Sequence, residues 1–248
     1  MTTQLVPPED LLRHIGSETP TDYVSIAEHF FDIFQQYGGI KPTDKILDIG
    51  CGCGRMAIPL TQFLTSGSYE GFDILPELIT WCKQNIETRF PAFHFQLAEV
   101  QHDLYSKDAK VSAKDFRFPF ADNHFDFTFL TSVFTHLLQD DLEHYTREIK
   151  RTLRPGGTAL ITFFLLNEDS ERLSQTPDAK IQIIHDFGQN GAKVMDLQHP
   201  EAAIGFPEAY VRQLLADSGL VLQEPIHFGS WCGRQGTVSF QDVLVCHK

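Results

Sequence analysis

The hydrophobic pattern in the first part of the chain changes between helical spacing and short continuous runs. Apolar side chains recur at every third or fourth position between residues 22 and 37, which predicts an amphipathic helix ending at the Gly-Gly pair 38–39. Residues 45–49 form a short apolar run that predicts a buried strand, and a helix is predicted over residues 55–64. The chain is therefore expected to begin with a helix, followed by a strand–helix unit.

Strand and helix signals continue to alternate as far as residue 164. Further strands are predicted at residues 68–73, 92–98, 125–132 and 158–164. Helices are predicted from Pro76, whose fixed backbone suits a first helical turn, to about Arg89, and from Asp140 to the following RPGG sequence. Because the alternation is unbroken, the sequence predicts a parallel sheet with helices on both faces.

The end of the chain changes the direction of the sheet. A helix predicted at about residues 207–216 is followed by strands at residues 221–226 and 237–246. About ten residues with several glycines join these two strands, which predicts a hairpin and hence an antiparallel last strand. The predicted fold is α/β: a seven-stranded, mostly parallel, doubly wound sheet with an antiparallel last strand.

Two segments lie outside this alternation. Residues 1–40 comprise a polar, proline-bearing lead-in and the first helix, and residues 165–205 show no clean periodicity. A link of that length in a compact domain is usually a functional lid or a small inserted subdomain. We therefore predict one domain over residues 1–248, with a lid-like insertion after the fifth strand that has little order of its own.

Charge and composition narrow the classes of partner. The 248 residues carry a formal net charge of −13, which argues against nucleic acids and anionic membrane surfaces. The apolar run at residues 159–166 is too short to span a bilayer, and the N-terminus shows no export signal. Five cysteines, an odd number, do not suggest a disulfide framework, so a reducing cytoplasm is the expected location.

The sequence DIGCGCG, from Asp48 to Gly54, is the first candidate for chemistry. The loop after the first strand of a parallel sheet lies in the ligand-binding crevice, and glycines let its backbone approach a ligand closely. One candidate ligand is a dinucleotide, but Arg55 occupies the position where that fingerprint requires its third glycine. The carboxylate of Asp48 would repel a pyrophosphate and favours a cationic or zwitterionic ligand.

Asp73 ends the second predicted strand. A carboxylate at this position can accept hydrogen bonds from both hydroxyls of a ribose, which indicates a nucleoside without deciding which one. The alternative is that Asp73 caps the helix that follows it.

These segments together resemble class I S-adenosylmethionine-dependent methyltransferases of the bacterial small-molecule type. Residues 48–54 resemble the first motif of that family, and YEGFDILPELI (69–79) and LAE (97–99) resemble the ends of its second and third strands. Residues 125–137 and 145–164 resemble its fourth- and fifth-strand region. The resemblance covers residues 40–164 and, in topology, the tail. It implies S-adenosylmethionine as cofactor and S-adenosylhomocysteine as product.

The resemblance also implies roles for the matching residues. The implied cofactor-binding set is Asp48, Gly50, Cys51, Gly52, Gly54, Arg55, Asp73, Ile74, Glu99, Val100, Thr131 and Ser132. Asp48 would lie near the amino group of the methionine moiety, which the glycines flank. Asp73 would hold the ribose, Ile74 would pack on the adenine and Glu99 would accept from the adenine amino group.

Three other residues of the set lie at the methionine end of the implied site. Thr131 and Ser132 would lie beside the methionine and the transferred methyl group. Arg55 would pair with the methionine carboxylate, unless it is simply an exposed arginine in the first turn of a helix.

Candidate residues for the methyl acceptor are fewer. His136 follows the fourth strand, where an imidazole could remove a proton from an acceptor hydroxyl; the alternative is that it only packs at the start of a helix. Trp231 and Arg234, in the glycine-rich hairpin loop, are predicted to line the acceptor pocket, against the alternative of plain packing. Phe34, in the first helix, is also predicted to line it. The histidines and cysteines lack metal-ligand spacing, so no metal is expected.

The predicted function is methyl transfer from S-adenosylmethionine to a small molecule, at a hydroxyl or carboxyl oxygen. The alternatives within this family are N-methylation of a small amine or peptide, methylation of a nucleic acid or protein, and a non-catalytic S-adenosylmethionine-binding subunit. A nicotinamide-dependent oxidoreductase is the alternative outside the family, and the misplaced third glycine argues against it.

Overall fold

The computed structural model of the chain describes residues 5–101 and 111–248. Within these residues the main sheet has seven strands: β1 Lys45–Ile49, β2 Ser68–Asp73, β3 Phe93–Leu97, β4 Phe125–Leu130, β5 Leu153–Phe163, β6 Val221–His227 and β7 Asp242–His247. Their order across the sheet is β6-β7-β5-β4-β1-β2-β3. Strands β1 to β5 pair in parallel, whereas β7 is antiparallel to β5 and β6. The predicted sheet is therefore confirmed.

The α-helices of the described residues are α1 Glu9–Arg13, α2 Pro20–Ile33, α3 Ala57–Phe63, α4 Pro76–Cys82, α5 Gln139–Thr152, α6 Glu168–Leu173 and α7 Glu208–Asp217. Helices α2, α3, α4, α5 and α7 begin close to the predicted positions, whereas no helix was predicted at α1 or α6. A capping box between Thr19 and Asp22 starts α2. The helix then widens into a π-type turn, Phe34–Gly38, and ends at Gly39, whose φ of 64° suits glycine. None of the helices in the described ranges is long and apolar enough to cross a membrane.

The two faces of the sheet are covered by different helices. One core cluster packs α5 and α7 on the sheet, with Leu142 and Ile149 among its buried side chains. The other packs α2, α3 and α4 on the opposite face. Strand β4 contributes side chains to both clusters: Phe125 belongs to the first, and Phe127 and Phe129 belong to the second. Each fully buried phenylalanine stabilises the fold by about 1.5–3 kcal/mol relative to an exposed one.

The last strand is shorter than the sequence predicts. It begins at Asp242 rather than at residue 237. The buried carboxylate of Asp242 accepts hydrogen bonds from the backbone N–H groups of Gly229 and Leu165, each at 2.6 Å. A side chain thus takes the place of backbone pairing at this point and joins the hairpin to the end of β5.

The insertion at residues 165–205 forms a second sheet together with the residues that follow it. Its order is Leu165–Leu166, Ile204–Pro207, Lys193–Val194 and His185–Asp186. These strands are only two to four residues long, which is why no period appeared in the sequence. Val194, Ile204 and Phe206 are buried in the main core. Movement of this insertion over a ligand stays a prediction.

Candidate functional site

A cavity of about 430 Å³ opens at the carboxyl ends of β1, β2 and β4. It lies at the point where the strand order reverses, since β2 pairs with β1 on one side and β4 pairs with it on the other. Its volume is in the ~300–1,000 Å³ range of small-molecule sites. Eleven of the predicted site residues line it: Asp48, Gly50, Cys51, Gly52, Arg55, Asp73, Ile74, Val100, Thr131, Ser132 and His136.

The glycine loop is shaped by packing as well as by access to the cavity. Gly50, Gly52 and Gly54 have φ values of 75°, 54° and 75°, which disfavour any other residue. A Cβ at Gly50 would lie 2.4 Å from Val133, and one at Gly52 would lie 2.7 Å from Ile15. Gly54 is outside the cavity lining and packs against Ile86, and its implied place beside the methionine moiety stays a prediction.

Asp48 presents an unsatisfied acceptor beside the loop. Its carboxylate is buried, and Oδ2 accepts a 2.6 Å hydrogen bond from the Tyr69 hydroxyl. Oδ1 has no hydrogen-bond partner among the described residues. Burial raises the pKa of Asp48 to about 8, and the Tyr69 hydrogen bond acts in the opposite direction. A buried acceptor without a partner fits a ligand that brings a cationic donor.

Asp73 holds the glycine loop and the turn that leads into the next helix. Its Oδ2 accepts from the Gly52 N–H at 2.8 Å, and its Oδ1 accepts from the Leu75 N–H at 3.0 Å. Burial raises its pKa. Each carboxylate oxygen can accept a second hydrogen bond. Helix α4 begins after Leu75 without a side-chain cap, so Asp73 orders the turn before the helix and is not its N-cap. These hydrogen bonds are compatible with a role in binding ribose hydroxyls.

Arg55 binds the N-terminal segment. Its Nη1 donates to the Ile15 carbonyl at 3.1 Å and to Ser17 Oγ at 2.8 Å, so it is not the freely exposed arginine of the alternative. Its Nε is buried without a hydrogen-bond partner among the described residues. Residues 13–16 line the cavity as a result.

Glu99 does not line the cavity, and its implied contact with adenine stays a prediction. Ala98 and Val100 are buried whereas Glu99 is exposed, because side chains alternate in extended backbone beyond β3. Val100 and the following Gln101 line the cavity.

The loop after β4 is anchored to the far strands. The Ser132 N–H donates to Thr162 Oγ1 on β5 at 2.9 Å, and its Oγ accepts from Gln241 beside β7 at 2.8 Å. These bonds hold Ser132 at a φ of 62°, which is uncommon for a residue other than glycine. The loop therefore has a defined place at the wall of the cavity.

His136 lies where that loop meets the insertion. Its Nδ1 is 2.9 Å from the carbonyl oxygen of Glu201. Because a carbonyl can only accept, Nδ1 carries the proton in the neutral ring, and the basic lone pair is on Nε2. The Ile204 N–H also donates to the Thr135 carbonyl at 2.9 Å. The insertion thus reaches the cavity, and Glu201 lines it together with Asp141 and Tyr145, three residues that the sequence analysis missed.

The three other residues predicted to line the acceptor pocket do not line the cavity. Phe34 is buried against Phe129, with 4.4 Å between ring centroids, in the core below the sheet. Trp231 is fully buried, and its Nε1 donates to Asp242 at 2.9 Å. Arg234 lies in a separate shallow groove, 4.5 Å above the ring of Phe228. The hairpin loop follows the edge strand β6, and β7 and β5 separate that strand from the cavity.

No cluster of three or more His, Cys, Asp or Glu side chains within residues 5–101 and 111–248 is placed to hold a metal ion. Metal-independent chemistry stays a prediction.

Part of the chain is similar in sequence to known methyltransferases. A family model described as a methyltransferase domain matches residues 47–161. Sterol 24-C-methyltransferase erg6 of Schizosaccharomyces pombe is 29% identical over 145 residues, which is 58% of this chain and 34% of that protein. The 2-phytyl-1,4-naphtoquinone methyltransferase of Trichormus variabilis is 27% identical over 146 residues, 58% of this chain and 57% of that protein. The chain thus spans about a third to just over half the length of these relatives.

The chain is also similar to a tRNA methyltransferase in sequence and to a methyltransferase crystal structure in fold. The tRNA N(3)-cytidine methyltransferase METTL2 of Bos taurus is 23% identical over 126 residues, 51% of this chain and 31% of that protein. A crystal structure of a SAM-dependent methyltransferase from Aquifex aeolicus superposes with a TM-score of 0.53 and 17% identity, over 99% of this chain and 95% of that one. At that identity the superposition supports the fold alone.

Proposed function

We propose that the chain is a class I S-adenosylmethionine-dependent methyltransferase and that it transfers the methyl group of S-adenosylmethionine to a small molecule. The observation that carries this proposal is Asp48, whose buried Oδ1 lacks a partner at the wall of the cavity beside the glycine turn. A zwitterionic amino-acid group supplies the cationic donor that this oxygen lacks. The pyrophosphate of a dinucleotide does not.

The residues around the cavity fit the rest of that cofactor. Asp73 would accept from the ribose hydroxyls while still holding Gly52 and Leu75 in place. Ile74 and Val100 offer apolar surface for the adenine. When bound, S-adenosylmethionine supplies a methyl group that its sulfonium makes strongly electrophilic. The main task of the protein is then to orient the acceptor in line with that group, an effect that can supply ~7–11 kcal/mol of the barrier.

We infer an oxygen acceptor whose proton His136 removes. The Glu201 carbonyl orients the imidazole through Nδ1 and leaves Nε2 as the basic nitrogen. In this arrangement His136 touches the acceptor, whereas the hydrogen bonds of Ser132 position the loop on which both residues lie.

The proposal of a small acceptor rests on the charge of the chain. The named acceptors of the relatives include a sterol, a quinone and a tRNA, so the family does not decide the acceptor class. A net charge of −13 opposes the dense phosphate backbone of RNA, because nucleic-acid binding depends on lysine and arginine contacts. A small acceptor carries no such requirement.

Methyl transfer can be tested with S-adenosylmethionine labelled with tritium in the methyl group. The purified protein is incubated with the small-molecule, RNA and protein fractions of a cell extract, with Asp48→Asn as the matched inactive control. We expect label in the small-molecule fraction with the wild type alone, in a product that mass spectrometry can identify. If ribonuclease releases the label, the acceptor is RNA and the proposal of a small acceptor is wrong.

Binding separates the remaining alternatives. S-adenosylhomocysteine at 100 times its dissociation constant should add ~2.7 kcal/mol to the free energy of unfolding, detectable as a rise in Tm, whereas NAD should not. A rise in Tm with NAD alone would overturn the proposal. Binding of S-adenosylhomocysteine without transfer to any fraction would identify a non-catalytic subunit.

A further inference from the structure

One part of the cavity is an apolar slot next to Asp73. Its walls come from α4, from the segment after β3 and from the loop before α5. The residues that line it are Leu75, Leu78, Val100, Ala113 and Leu137. If Asp73 holds the ribose, as the proposed function requires, this slot is where a flat purine ring has apolar surface to contact. Such a ring also has a polar edge that must find partners.

Helix α5 places two polar groups at this slot. Asp141 and Tyr145 are four residues apart, so their side chains lie on the same face of the helix, and both line the cavity. Asp141 also accepts from the backbone N–H of Lys114, which places its carboxylate beside Ala113.

The Tyr145 hydroxyl is the second, independent sign of a ligand. Tyr145 is only 4% exposed, yet its hydroxyl makes no hydrogen bond within the described parts of the chain. Burial, followed by the charges of Asp141 and Asp73, raises the pKa of Tyr145, so the group is a neutral donor at physiological pH. A donor at the wall of a cavity is satisfied when a ligand or water in that cavity supplies an acceptor.

We propose that Asp141 and Tyr145 recognise the polar edge of the adenine ring. Adenine carries a donor, its 6-amino group, next to ring nitrogens that accept, and the two side chains offer the complementary acceptor and donor. The assignment replaces Glu99, which the structure places on the exposed side of its segment. It rests on the proposed function, because it requires an adenosine cofactor in this cavity.

Calorimetry with two ligands tests the assignment. S-adenosylhomocysteine has the 6-amino group, and S-inosylhomocysteine has a 6-oxo group and a protonated ring nitrogen in its place. Wild type should prefer the first. Asp141→Asn should lower affinity for S-adenosylhomocysteine by about tenfold or more and reduce or reverse the preference, because an asparagine amide can donate to the 6-oxo group. Asp140→Asn is the matched control, since Asp140 is the exposed neighbour outside the cavity.

Tyr145→Phe gives a second reading that removes one oxygen atom and keeps the ring, which packs edge-on against Phe118 at 5.0 Å. It should also weaken S-adenosylhomocysteine binding. If Asp141→Asn keeps wild-type affinity and preference while the KM of the acceptor rises, these residues belong to the acceptor end, and the inference is wrong although the proposed function holds. If wild type does not bind S-adenosylhomocysteine, both are wrong.

Discussion

Asp48 should make cofactor binding depend on pH. In the unliganded protein its pKa of about 8 means that the carboxyl is largely protonated at neutral pH. A cationic amino group favours the ionised form, so binding at about pH 7 should release protons. Calorimetry of S-adenosylhomocysteine binding in buffers of different ionisation enthalpy measures the number of protons released. Asp48→Asn should bind more weakly and release fewer protons; equal release by both proteins would contradict the assignment.

The same residue should make stability depend on pH. Because the folded pKa of Asp48 is raised, its contribution to stability is fully present below the unfolded pKa and is lost as pH rises towards 8. Asparagine at this position cannot titrate. The difference in Tm between Asp48→Asn and wild type, both without ligand, should therefore shift in favour of the variant between about pH 5 and about pH 8. A difference that is constant with pH would show that Asp48 is ionised throughout.

His136 is the residue whose loss should separate chemistry from binding. His136→Ala should lower kcat by ~10²–10⁴-fold, the range for a general base, and leave affinity for S-adenosylhomocysteine within about twofold. His94→Ala is the surface control, because His94 lies outside the cavity. A variant with normal kcat at every pH would mean that the proton leaves by another route.

At the scale of elements, the N-terminal segment is a wall of the cofactor cavity. Ile15 packs against Gly52, and Arg55 ties this wall down through the Ile15 carbonyl and Ser17 Oγ. The packing of Ile15 on Gly52 and the two hydrogen bonds of Arg55 thus join residues 13–17 to the glycine loop. Substitution of Arg55 should therefore displace this wall and weaken binding of the whole cofactor, not only of its methionine carboxylate.

A pair of ligands distinguishes this role from a salt bridge to the methionine carboxylate. Removal of the guanidinium in Arg55→Met should weaken binding of both S-adenosylhomocysteine and 5′-methylthioadenosine, which lacks the amino-acid group. Each lost hydrogen bond to a charged donor is expected to cost ~1.5–3 kcal/mol. Arg89→Met, an exposed substitution of the same type, is the control. Weaker binding of S-adenosylhomocysteine alone would assign Arg55 to the carboxylate.

At the scale of the whole molecule, the insertion at residues 165–205, which forms most of the small sheet, reaches the cavity. It reaches the loop after β4 through the Glu201 carbonyl and the Ile204 N–H, while residues 188–191 and 197–199 are exposed. Proteinase K should cut the unliganded protein first in these outer turns, because their backbone is the least protected. S-adenosylhomocysteine should slow the cut if the insertion closes over the cavity. A cutting rate unaffected by ligand would show that the insertion is a fixed wall.

Local patterns in the sequence were sufficient for much of the fold and for the place of the cavity at the carboxyl ends of its strands. Periods of two and three to four residues predict strands and helices because they reflect which face of each element is buried. The positions of Asp48 and Asp73 follow from the same patterns, since each lies at a carboxyl end of a strand in a parallel sheet. The antiparallel last strand followed from the short glycine-rich connection alone.

Tertiary structure decided which residues meet when they are far apart in the chain. Trp231 is buried because Asp242 and Phe164 enclose it, and no local pattern indicates that pairing. Asp141 and Glu201 reach the cavity from a helix start and from a segment without periodicity. The N-terminal wall depends on Arg55, 40 positions after Ile15. Such contacts depend on how loops fold back over the sheet, and the sequence of each loop does not encode its partner locally.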